Sequence, residues 1–511
     1  MLRYRHIHLA RLLQPVSVRI LSPAAYSSET GNDDPEDKHP IRRTLRLLGN
    51  DMRKVRDFFM PKINRTEDKT DRRPMQSKFQ FKGDQGQPEE FQTHCDILVI
   101  GGGGIGSSIA YWLKEKARDG LNVVVVEKDD TYSNSATRLS IGGLHHKFSL
   151  PENIEMSLFA ADFLRNGKQN FGADIPLNYT PCGHLRLVSE EGAEALQRTC
   201  QLQNELGARN ELLTPARLAT RFPWLKTDGV ALACLGLEKE GWFDPWALLL
   251  GYRRTAVHYG AHFVNGEVVR FIYKNQPDVT IVGDEASNEG QYSSLDKVVV
   301  QLQDGTQRSI KFALCVIAAG ASSGNVAQLA RIGRGPNILQ VPLPVVPRER
   351  CLYAITTDAQ NAPGISTPLT IDHNGVFFRS DGLGGNYICG HFGNIEDSSE
   401  NPDAQAFFES AIRPTLAKRV PAFGSARIVD KWSGSYDYNL FDDNGIIGPH
   451  PYYNNLYIVT GFSGQGIQQT PALGRAISEL IMDGSFRTID LSRLSFDRII
   501  VDRPLYELNS I

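Results

Sequence analysis

Three glycines near residue 100 have the spacing that lets a backbone bind a pyrophosphate. Gly101, Gly103 and Gly106 form the pattern G-x-G-x-x-G between a short apolar run, 97–100, and a helical pattern that begins near Ile105. The first glycine permits a tight turn, the second lets the backbone approach the phosphates, and the third lets helix and strand pack closely. Unpaired N–H groups at the helix N-terminus favour negative charge. The predicted phosphate contacts are Gly101, Gly103, Gly104, Ile105 and Gly106.

A second apolar run, 123–126, ends on an acid that suits a ribose. Glu127 follows the glycines by about 20 residues, where a carboxylate accepts hydrogen bonds from ribose hydroxyls. Strand, turn, helix, strand and acid form one unit, so we predict a bound adenine dinucleotide. The Ser- and Thr-rich loop 131–153 is expected to cross this ligand, with Arg138, His145 and His146 as surface or supporting residues. The predicted contacts here are Glu127, Lys128, Ser135 and Thr137.

A second glycine turn near the C-terminus identifies the dinucleotide. A strand over 456–460 leads into glycines 461, 464 and 466, and a helix follows with Pro471 at its start. A second positive helix end beside a flavin stabilises the anionic reduced ring. A purely NAD-dependent dehydrogenase does not need this returning segment, so we predict FAD. The added contacts are Val268, Ala319, Gly320, Gly461, Gly464, Gln465, Gly466 and Ile467.

The order of elements predicts an α/β protein with an α+β substrate lobe. We expect a discontinuous, doubly wound, Rossmann-like FAD-binding domain and a β-rich substrate-type domain. The FAD-binding domain is assigned to 94–170, 235–335 and 435–490, and the substrate-type lobe to 171–234 and 336–434. Prolines 342, 344 and 347 indicate a sheet edge or crossover. Residues 274–295 read as a surface insertion, and 491–511 as a C-terminal tail.

Composition excludes several classes of function. The net charge of −3 gives no reason to expect a nucleic-acid partner. The seven cysteines are scattered, odd in number and without C-x-x-C spacing, so we expect reduced thiols. The twelve histidines have no metal-ligand spacing either, and we predict no metal site.

The first 93 residues read as targeting and linker segments. Residues 1–28 are basic, serine-containing and free of acids, as in a mitochondrial transit peptide, so the predicted location is the mitochondrial matrix. Within the linker 29–93, apolar residues recur four and three apart over 41–59 among many basic ones. This predicts a basic amphipathic helix. Such a helix binds the inner-membrane surface or a partner's groove, or it docks on its own domain.

Several separate stretches resemble one known family. The first glycine unit, WFDPW at 242–246, AAG at 318–320 and GFSGQGIQQTPALGRA at 461–476 resemble the D-amino-acid oxidase superfamily, nearest its sarcosine oxidase and dimethylglycine dehydrogenase branch. Three further stretches, 148–166, 229–246 and 435–451, resemble a mitochondrial group within it that assists assembly of respiratory complex I. The similarity covers about residues 94–500. It implies complex I subunits or assembly intermediates as partners, and hydride transfer to FAD from a carbon beside an amine nitrogen.

The chain also departs from that branch. In sarcosine oxidase the second glycine turn carries a His and then a Lys that helps hold the substrate carboxylate, whereas Gln465 and Gln468 stand here. The flavin-tethering cysteine of that enzyme falls at Ser435, and the tethering histidine of dimethylglycine dehydrogenase falls near Ser140. We therefore expect non-covalent FAD and a pocket poor at binding amino-acid carboxylates. The residues expected to line it are Arg138, Arg379, Lys431, Tyr436 and Tyr438.

These departures leave three functions open, and no catalytic residue is assigned. The first is a matrix FAD protein required for complex I assembly. The second is an active FAD-dependent dehydrogenase of amines or N-methyl amino acids, which belongs to the CH–NH donor class. The third is a scaffold that needs FAD only to fold.

Overall fold

The computed structural model describes residues 91–172, 175–275, 293–392 and 404–508. These residues all belong to the compact unit Arg73–Ile511. The predicted transit peptide, the predicted helix 41–59 and most of the predicted insertion 274–295 lie outside them.

Seventeen strands form three sheets in the described residues. In chain order they are β1 His94–Ile100, β2 Val123–Glu127, β3 Gly143–Leu144, β4 His184–Val188, β5 Asn210–Leu213, β6 Leu232–Gly236, β7 Gly241–Trp242, β8 His262–Asn275, β9 Ser293–Leu302, β10 Gln307–Ile317, β11 Val345–Thr356, β12 Leu369–Ile371, β13 Val376–Ser380, β14 Asn386–His391, β15 Arg427–Asn439, β16 Ile446–Pro449 and β17 Leu456–Thr460.

The helices of the same residues connect these strands. The α-helices are α1 Gly104–Ala117, α2 Ala136–Leu139, α3 Pro151–Arg165, α4 Gly167–Phe171, α5 Glu190–Glu205, α6 Pro215–Arg221, α7 Pro245–His258, α8 Ser323–Leu329, α9 Ala404–Phe407, α10 Arg413–Arg419, α11 Gly466–Asp483 and α12 Asp497–Ile500. A π-helical turn, Phe408–Ile412, joins α9 to α10. Short 3-10 helices occupy Arg118–Gly120, Gly320–Ser322, Asn337–Gln340, Pro421–Phe423 and Ser492–Leu494. In the described part of the chain, no helix is both long and apolar enough to span a membrane.

The first sheet is the predicted doubly wound sheet. Its parallel strands lie in the order β8, β2, β1, β10 and β17, which is 3-2-1-4-5 along the chain. The antiparallel strand β9 joins β8 to β10, and β16 adds an antiparallel edge beside β17. Alternate residues of β1 enter two cores: Ile97 and Val99 pack against α1, α3, α7 and α11, while Leu98 and Ile100 pack on the other face. The strand order changes direction between β1 and β10, and doubly wound sheets bind their ligands at this point.

The second sheet forms the β-rich lobe. Its eight strands lie in the order β15, β11, β14, β13, β12, β4, β6 and β5. The domain boundaries predicted at 235 and 435 fall inside β6 and β15, so both strands belong wholly to the lobe. The first half of β11 pairs with β15 alone, and β14 joins it at Leu352. Pro347 therefore lies on the part of β11 that pairs with one strand only. Proline is tolerated there because it has no N–H to donate to a second strand.

Helix α11 carries the second glycine turn onto the first. A Cβ on Gly474 would lie 2.2 Å from Ser108 Oγ, so α11 and α1 touch along their backbones. Pro471 is inside α11 and not at its start, which corrects the predicted helix boundary. Its ring removes the N–H that would bond the Ile467 carbonyl, and the Thr470 hydroxyl donates to that carbonyl instead, at 3.0 Å. The proline is thus tolerated within the helix.

The segment predicted as a tail is folded into the structure. Leu491, Leu494 and Phe496 are buried in the cores beside the first sheet. Arg498 forms a buried ion pair with Asp442, at 2.7 Å between Nε and Oδ2. The described residues after 490 are therefore an integral layer of the FAD-type domain.

Candidate functional site

The first glycine turn lies at the carboxyl ends of β1 and β10. Gly101 has a φ of +101°, and a Cβ there would lie 2.4 Å from the Ala318 carbonyl oxygen on the neighbouring strand end. A Cβ on Gly106 would lie 1.8 Å from the Gly101 carbonyl oxygen. Only glycine fits either position, because the obstructing atoms belong to the backbone. The turn therefore has the tight geometry that the sequence predicts.

The N-cap residue of α1 has no side chain of its own to cap the helix. Gly103 is the N-cap, and the first turn of the helix carries no acid. The nearest groups to a Cβ on Gly103 would be Thr137 Oγ1 at 3.7 Å and Ser135 Oγ at 4.0 Å. Thr137 Oγ1 also accepts from the Gly104 N–H at 3.0 Å. The predicted hydroxyl residues therefore lie beside the predicted phosphate turn, at a helix N-terminus that suits an anion.

Glu127 lies directly behind the turn. Its Oε2 accepts from the Gly102 N–H at 2.6 Å and its Oε1 from the Asp129 N–H at 2.9 Å. Burial raises the pKa of this carboxyl, and these backbone donors oppose the rise. A carboxylate has about four lone-pair sites, so it keeps acceptors for ribose hydroxyls. The predicted contact Lys128 instead forms an exposed ion pair with Glu267.

The remaining predicted contacts on the sheet lie on both sides of the turn. Val268 is buried on β8, next to β2. Ala319 and Gly320 directly follow β10, and Gly320 has a φ of +53°. The Thr460 hydroxyl donates to the Gly320 carbonyl at 3.3 Å, which connects this point to the second turn.

The second glycine turn meets the first and is anchored by an acid of the lobe. Ile467 Cδ1 would lie 3.3 Å from a Cβ on Gly104, so Gly461–Gly466 closes over the first turn. Asp437 Oδ2 on β15 accepts from the Gly461 N–H at 2.6 Å and from the Phe462 N–H at 3.1 Å. Gln465 is the N-cap of α11, with no side-chain hydrogen bond to the helix N-terminus. Sequence reasoning missed Asp437, because its partners lie in another domain segment.

A pocket opens between this second turn and the lobe. Its cavity volume is about 220 Å³. The polar and charged residues that line it include His145, Lys147, Asn153, His184, Arg186, Arg350, Asp443, Gln465 and Glu507, and the aromatic ones are Phe148, Phe392, Tyr436, Tyr438 and Phe462. Tyr436 and Tyr438 therefore lie where the sequence predicts them.

Three other residues predicted for the pocket do not line it. Arg138 donates to the Thr131 carbonyl at 2.7 Å and lies over the Trp246 ring. Arg379 contacts Asp381 and lies over the Trp242 ring. Lys431 pairs with Tyr353 in the β11–β15 ladder. These positions were assigned from their residue types alone. The register of the lobe strands places Arg379 and Lys431 elsewhere, and Arg138 lies on α2.

The two glutamines of the second turn organise a neutral histidine. Gln468 Oε1 accepts from the backbone N–H of His145 at 2.9 Å, and Gln468 Nε2 donates to Gln465 Oε1 at 2.9 Å. Burial, with the nearby charges of Lys147 and Arg186, lowers the pKa of His145 to about 3. The imidazole is therefore uncharged at neutral pH. Lys147 is itself balanced by the buried carboxylate of Glu240 at 3.0 Å.

Two arginines of the lobe supply the positive charge that the turn lacks. Arg186 comes from β4 and Arg350 from β11. Burial lowers the pKa of both guanidinium groups, that of Arg186 to about 10, so both stay protonated at neutral pH. Poor binding of amino-acid carboxylates, which the sequence predicts from uncharged Gln465 and Gln468, stays a prediction. Arg186 and Arg350 were not among the residues predicted to line the pocket, because they come from strands that are remote in sequence from the second turn.

Arg350 lies against the second glycine turn. Its Nη1 would be 3.0 Å from a Cβ on Gly464, and its Cζ lies 4.6 Å from the Tyr436 ring centroid and 4.8 Å from that of Phe392. Among the described residues, no carboxylate forms an ion pair with it. An anion that entered beside the second turn would meet this guanidinium held between two aromatic rings. No group of three or more His, Cys, Asp or Glu side chains in the described ranges is arranged to hold a metal ion.

Comparison with known proteins agrees with this geometry. The family description "FAD dependent oxidoreductase" matches residues 96–480. The chain is 61% identical over 518 aligned residues to "FAD-dependent oxidoreductase domain-containing protein 1 homolog" of Drosophila melanogaster, with 100% of each chain covered. It is 45% identical to the Xenopus laevis protein called "FAD-dependent oxidoreductase domain-containing protein 1", over 82% of this chain and 85% of that one.

A solved structure supports the fold. L-Proline dehydrogenase from P. horikoshii superposes with a TM-score of 0.67 at 22% identity, over 81% of this chain and 100% of the other. The predicted α/β fold with its β-rich lobe is confirmed. A glycine turn at a helix N-terminus, with an acid at the end of the next strand, is the arrangement that dinucleotide-binding folds use to hold a pyrophosphate. The chain therefore belongs to the family of FAD-dependent oxidoreductases.

Proposed function

We propose that this chain is a mitochondrial flavoprotein required for assembly of respiratory complex I. It works in the matrix, and the segment 41–59 brings it to the inner-membrane surface, where assembly intermediates are its partners. One observation carries the proposal. The stretches 148–166, 229–246 and 435–451 resemble the complex I assembly group, and similarity to a relative of the same family runs over the whole chain. The basic face of 41–59 suits an anionic membrane.

Loss of this protein is expected to remove complex I selectively. In cells that lack it, native gels should show little assembled complex I and normal levels of the other respiratory complexes. Re-expression of the full chain should restore it, and re-expression of a chain without 41–59 should leave the protein in the soluble matrix fraction. Unchanged complex I in the absence of the protein would reject the assembly role. Restoration by the chain without 41–59, with its membrane association intact, would reject only the attachment role.

A second function, dehydrogenation of an N-substituted amino acid, is favoured by Arg350. This guanidinium lies in the pocket beside the second glycine turn and has no ion-pair partner in the described residues. It would bind the substrate carboxylate, while the Phe392 and Tyr436 rings exclude water and hold the guanidinium in place. Bound FAD would accept the hydride. We propose that FAD is held non-covalently, since Ser140 and Ser435 offer neither thiolate nor imidazole.

Anaerobic titration tests this chemistry directly. Acid precipitation should first leave the yellow colour in the supernatant, and a yellow pellet would contradict non-covalent binding. N-methyl and cyclic secondary amino acids should then bleach the flavin band at about 450 nm. Arg350→Gln should raise the half-saturating concentration about 10- to 100-fold, because a charged hydrogen bond is lost. Arg348→Gln is the matched control, since Arg348 is on the same strand and stacks on Tyr438 without lining the pocket. Absence of bleaching throughout the panel would reject the activity and leave the assembly role standing.

A further inference from the structure

The C-terminal segment returns to the pocket and places a carboxylate in its wall. Glu507 lines the same cavity as Arg186 and Arg350. Its Oε2 accepts from the Ser149 hydroxyl at 2.5 Å and from the Leu150 N–H at 3.2 Å. Its Oε1 accepts from Asn153 Nδ2 at 2.6 Å. Both carboxylate oxygens are thus held by groups at the N-terminus of α3, which also favours a negative charge.

The main chain that carries Glu507 is fixed on both sides. The Leu505 N–H donates to Asp442 Oδ2 at 3.0 Å, and Asn444 Nδ2 donates to the Leu505 carbonyl. The Leu508 N–H donates to the Ser149 hydroxyl at 2.7 Å. Asp442 is in turn paired with buried Arg498. The position of the Glu507 side chain is therefore a feature of the folded domain.

The cationic residues of the pocket differ in whether a carboxylate lies beside them. Lys147 is balanced by Glu240 in a buried pair. Arg186 is deprived of water by burial, and the negative charge of Glu507 is among the groups that oppose the resulting fall in its pKa. Arg350 has aromatic rings beside it and no ion-pairing carboxylate among the described residues. A charge in a pocket is stabilised by an opposite charge, so a ligand anion is drawn to Arg350.

We propose that Glu507 is a specificity-determining residue that places a fixed negative charge in the pocket that also holds Arg186 and Arg350. The pocket then admits ligands with one carboxylate, bound at Arg350, and disfavours ligands with a second carboxylate, which Glu507 repels. This inference rests on the proposed amino-acid dehydrogenase site and names the substrate class of that site as monocarboxylates. The discriminating charge comes from the C-terminal segment, which is remote in sequence from the residues that form the rest of the pocket.

Calorimetric titration of the FAD-loaded protein with propionate and malonate tests the proposal. Both probes have three carbons and differ by one carboxylate, and the ionic strength is held constant. The native protein should bind propionate better than malonate. Glu507→Gln should tighten malonate binding about tenfold or more and change propionate binding less than about threefold, because one like charge leaves a desolvated site. Asp502→Asn, an exposed acid of the same segment, should change neither. Equal changes for both probes in Glu507→Gln would overturn the proposal.

Two arginine variants keep the test decisive if Glu507→Gln unfolds. Arg186→Gln in the native background should weaken propionate binding less than about threefold, because the proposal places the ligand carboxylate at Arg350 and not at Arg186. A larger loss there than in Arg350→Gln would assign the ligand anion to Arg186 and overturn the proposal. If Glu507→Gln folds, the double variant with Arg186→Gln should bind malonate no more tightly than the native protein does. If Arg350→Gln leaves propionate binding unchanged, the proposed carboxylate site itself fails, and this result is separate from any result at Glu507.

Discussion

Replacement of Gly106 by alanine should yield a protein that no longer retains FAD. The new methyl group would lie 1.8 Å from the Gly101 carbonyl oxygen, and both atoms belong to the tightest part of the turn. The helix α1 must then move away from β1, which also moves the N–H groups that face the phosphates. We expect the FAD affinity to fall at least about 100-fold and the unfolding free energy to fall by about 1–3 kcal/mol, as for other overpacked sites. Flavin absorbance after gel filtration and urea denaturation measure the two effects.

Gly120→Ala is the matched control for this substitution. Gly120 follows the same helix, its φ lies outside the left-handed region, and a Cβ there meets no atom within 4 Å. This variant should keep a full complement of FAD. Retention of FAD by Gly106→Ala at the level of Gly120→Ala would show that the turn does not carry the cofactor. In cells, Gly106→Ala also tests whether the protein needs bound FAD for its role or whether the polypeptide alone is sufficient.

Replacement of Arg498 by methionine should cost about 3–5 kcal/mol of unfolding free energy, because a buried carboxylate loses its partner. Arg498 donates to both oxygens of Asp442, at 2.7 and 3.0 Å, and also to the carbonyls of Leu494 and Gly445, at 2.7 and 3.0 Å. The C-terminal layer should loosen first, since this side chain joins it to the loop after β15. Urea denaturation gives the loss of stability, and limited proteolysis reports release of the segment.

The exposed residue Arg503 provides the comparison for this prediction. Arg503→Met removes the same charge from the same segment and should change the unfolding free energy by less than about 0.5 kcal/mol. Asp442→Leu added to Arg498→Met should recover part of the loss, because no unpaired charge then remains. A cost below about 1 kcal/mol for Arg498→Met would mean that the pair does not hold the segment.

The parts of the site that local sequence signals encode were predictable. Gly101, Gly106, Glu127 and Thr137 lie in one continuous unit, and the structure brings them together as their spacing indicates. The doubly wound, Rossmann-like class of the first sheet was predictable from the same unit and from the repeated strand–glycine–helix pattern near Gly320. Here each residue's role depends on neighbours that are close in the chain.

The parts that depend on distant pairing were not predictable. Arg186 and Arg350 line the pocket because β4 and β11 take particular positions in an eight-stranded sheet, and no local pattern specifies that register. Glu507 accepts from the Leu150 N–H, 357 residues away in sequence, and Asp437 joins a strand of the lobe to the second turn without belonging to a recognisable motif. The preference of proline for the first turn of a helix predicted Pro471 at the start of α11. The proline is instead inside the helix, where the Thr470 hydroxyl donates to the carbonyl that the missing N–H leaves free.

The contact between α1 and α11 sets the order in which the protein can be completed. The Ser108 hydroxyl donates to the Thr470 carbonyl at 2.7 Å across 362 positions of sequence. In a growing chain the first glycine turn is made well before the helix that closes it, since the bonded residues are 362 positions apart. Until α11 packs on α1, only part of the predicted cofactor site is present and the apolar face of α1 is uncovered. We therefore expect complete cofactor binding to follow the synthesis and packing of α11.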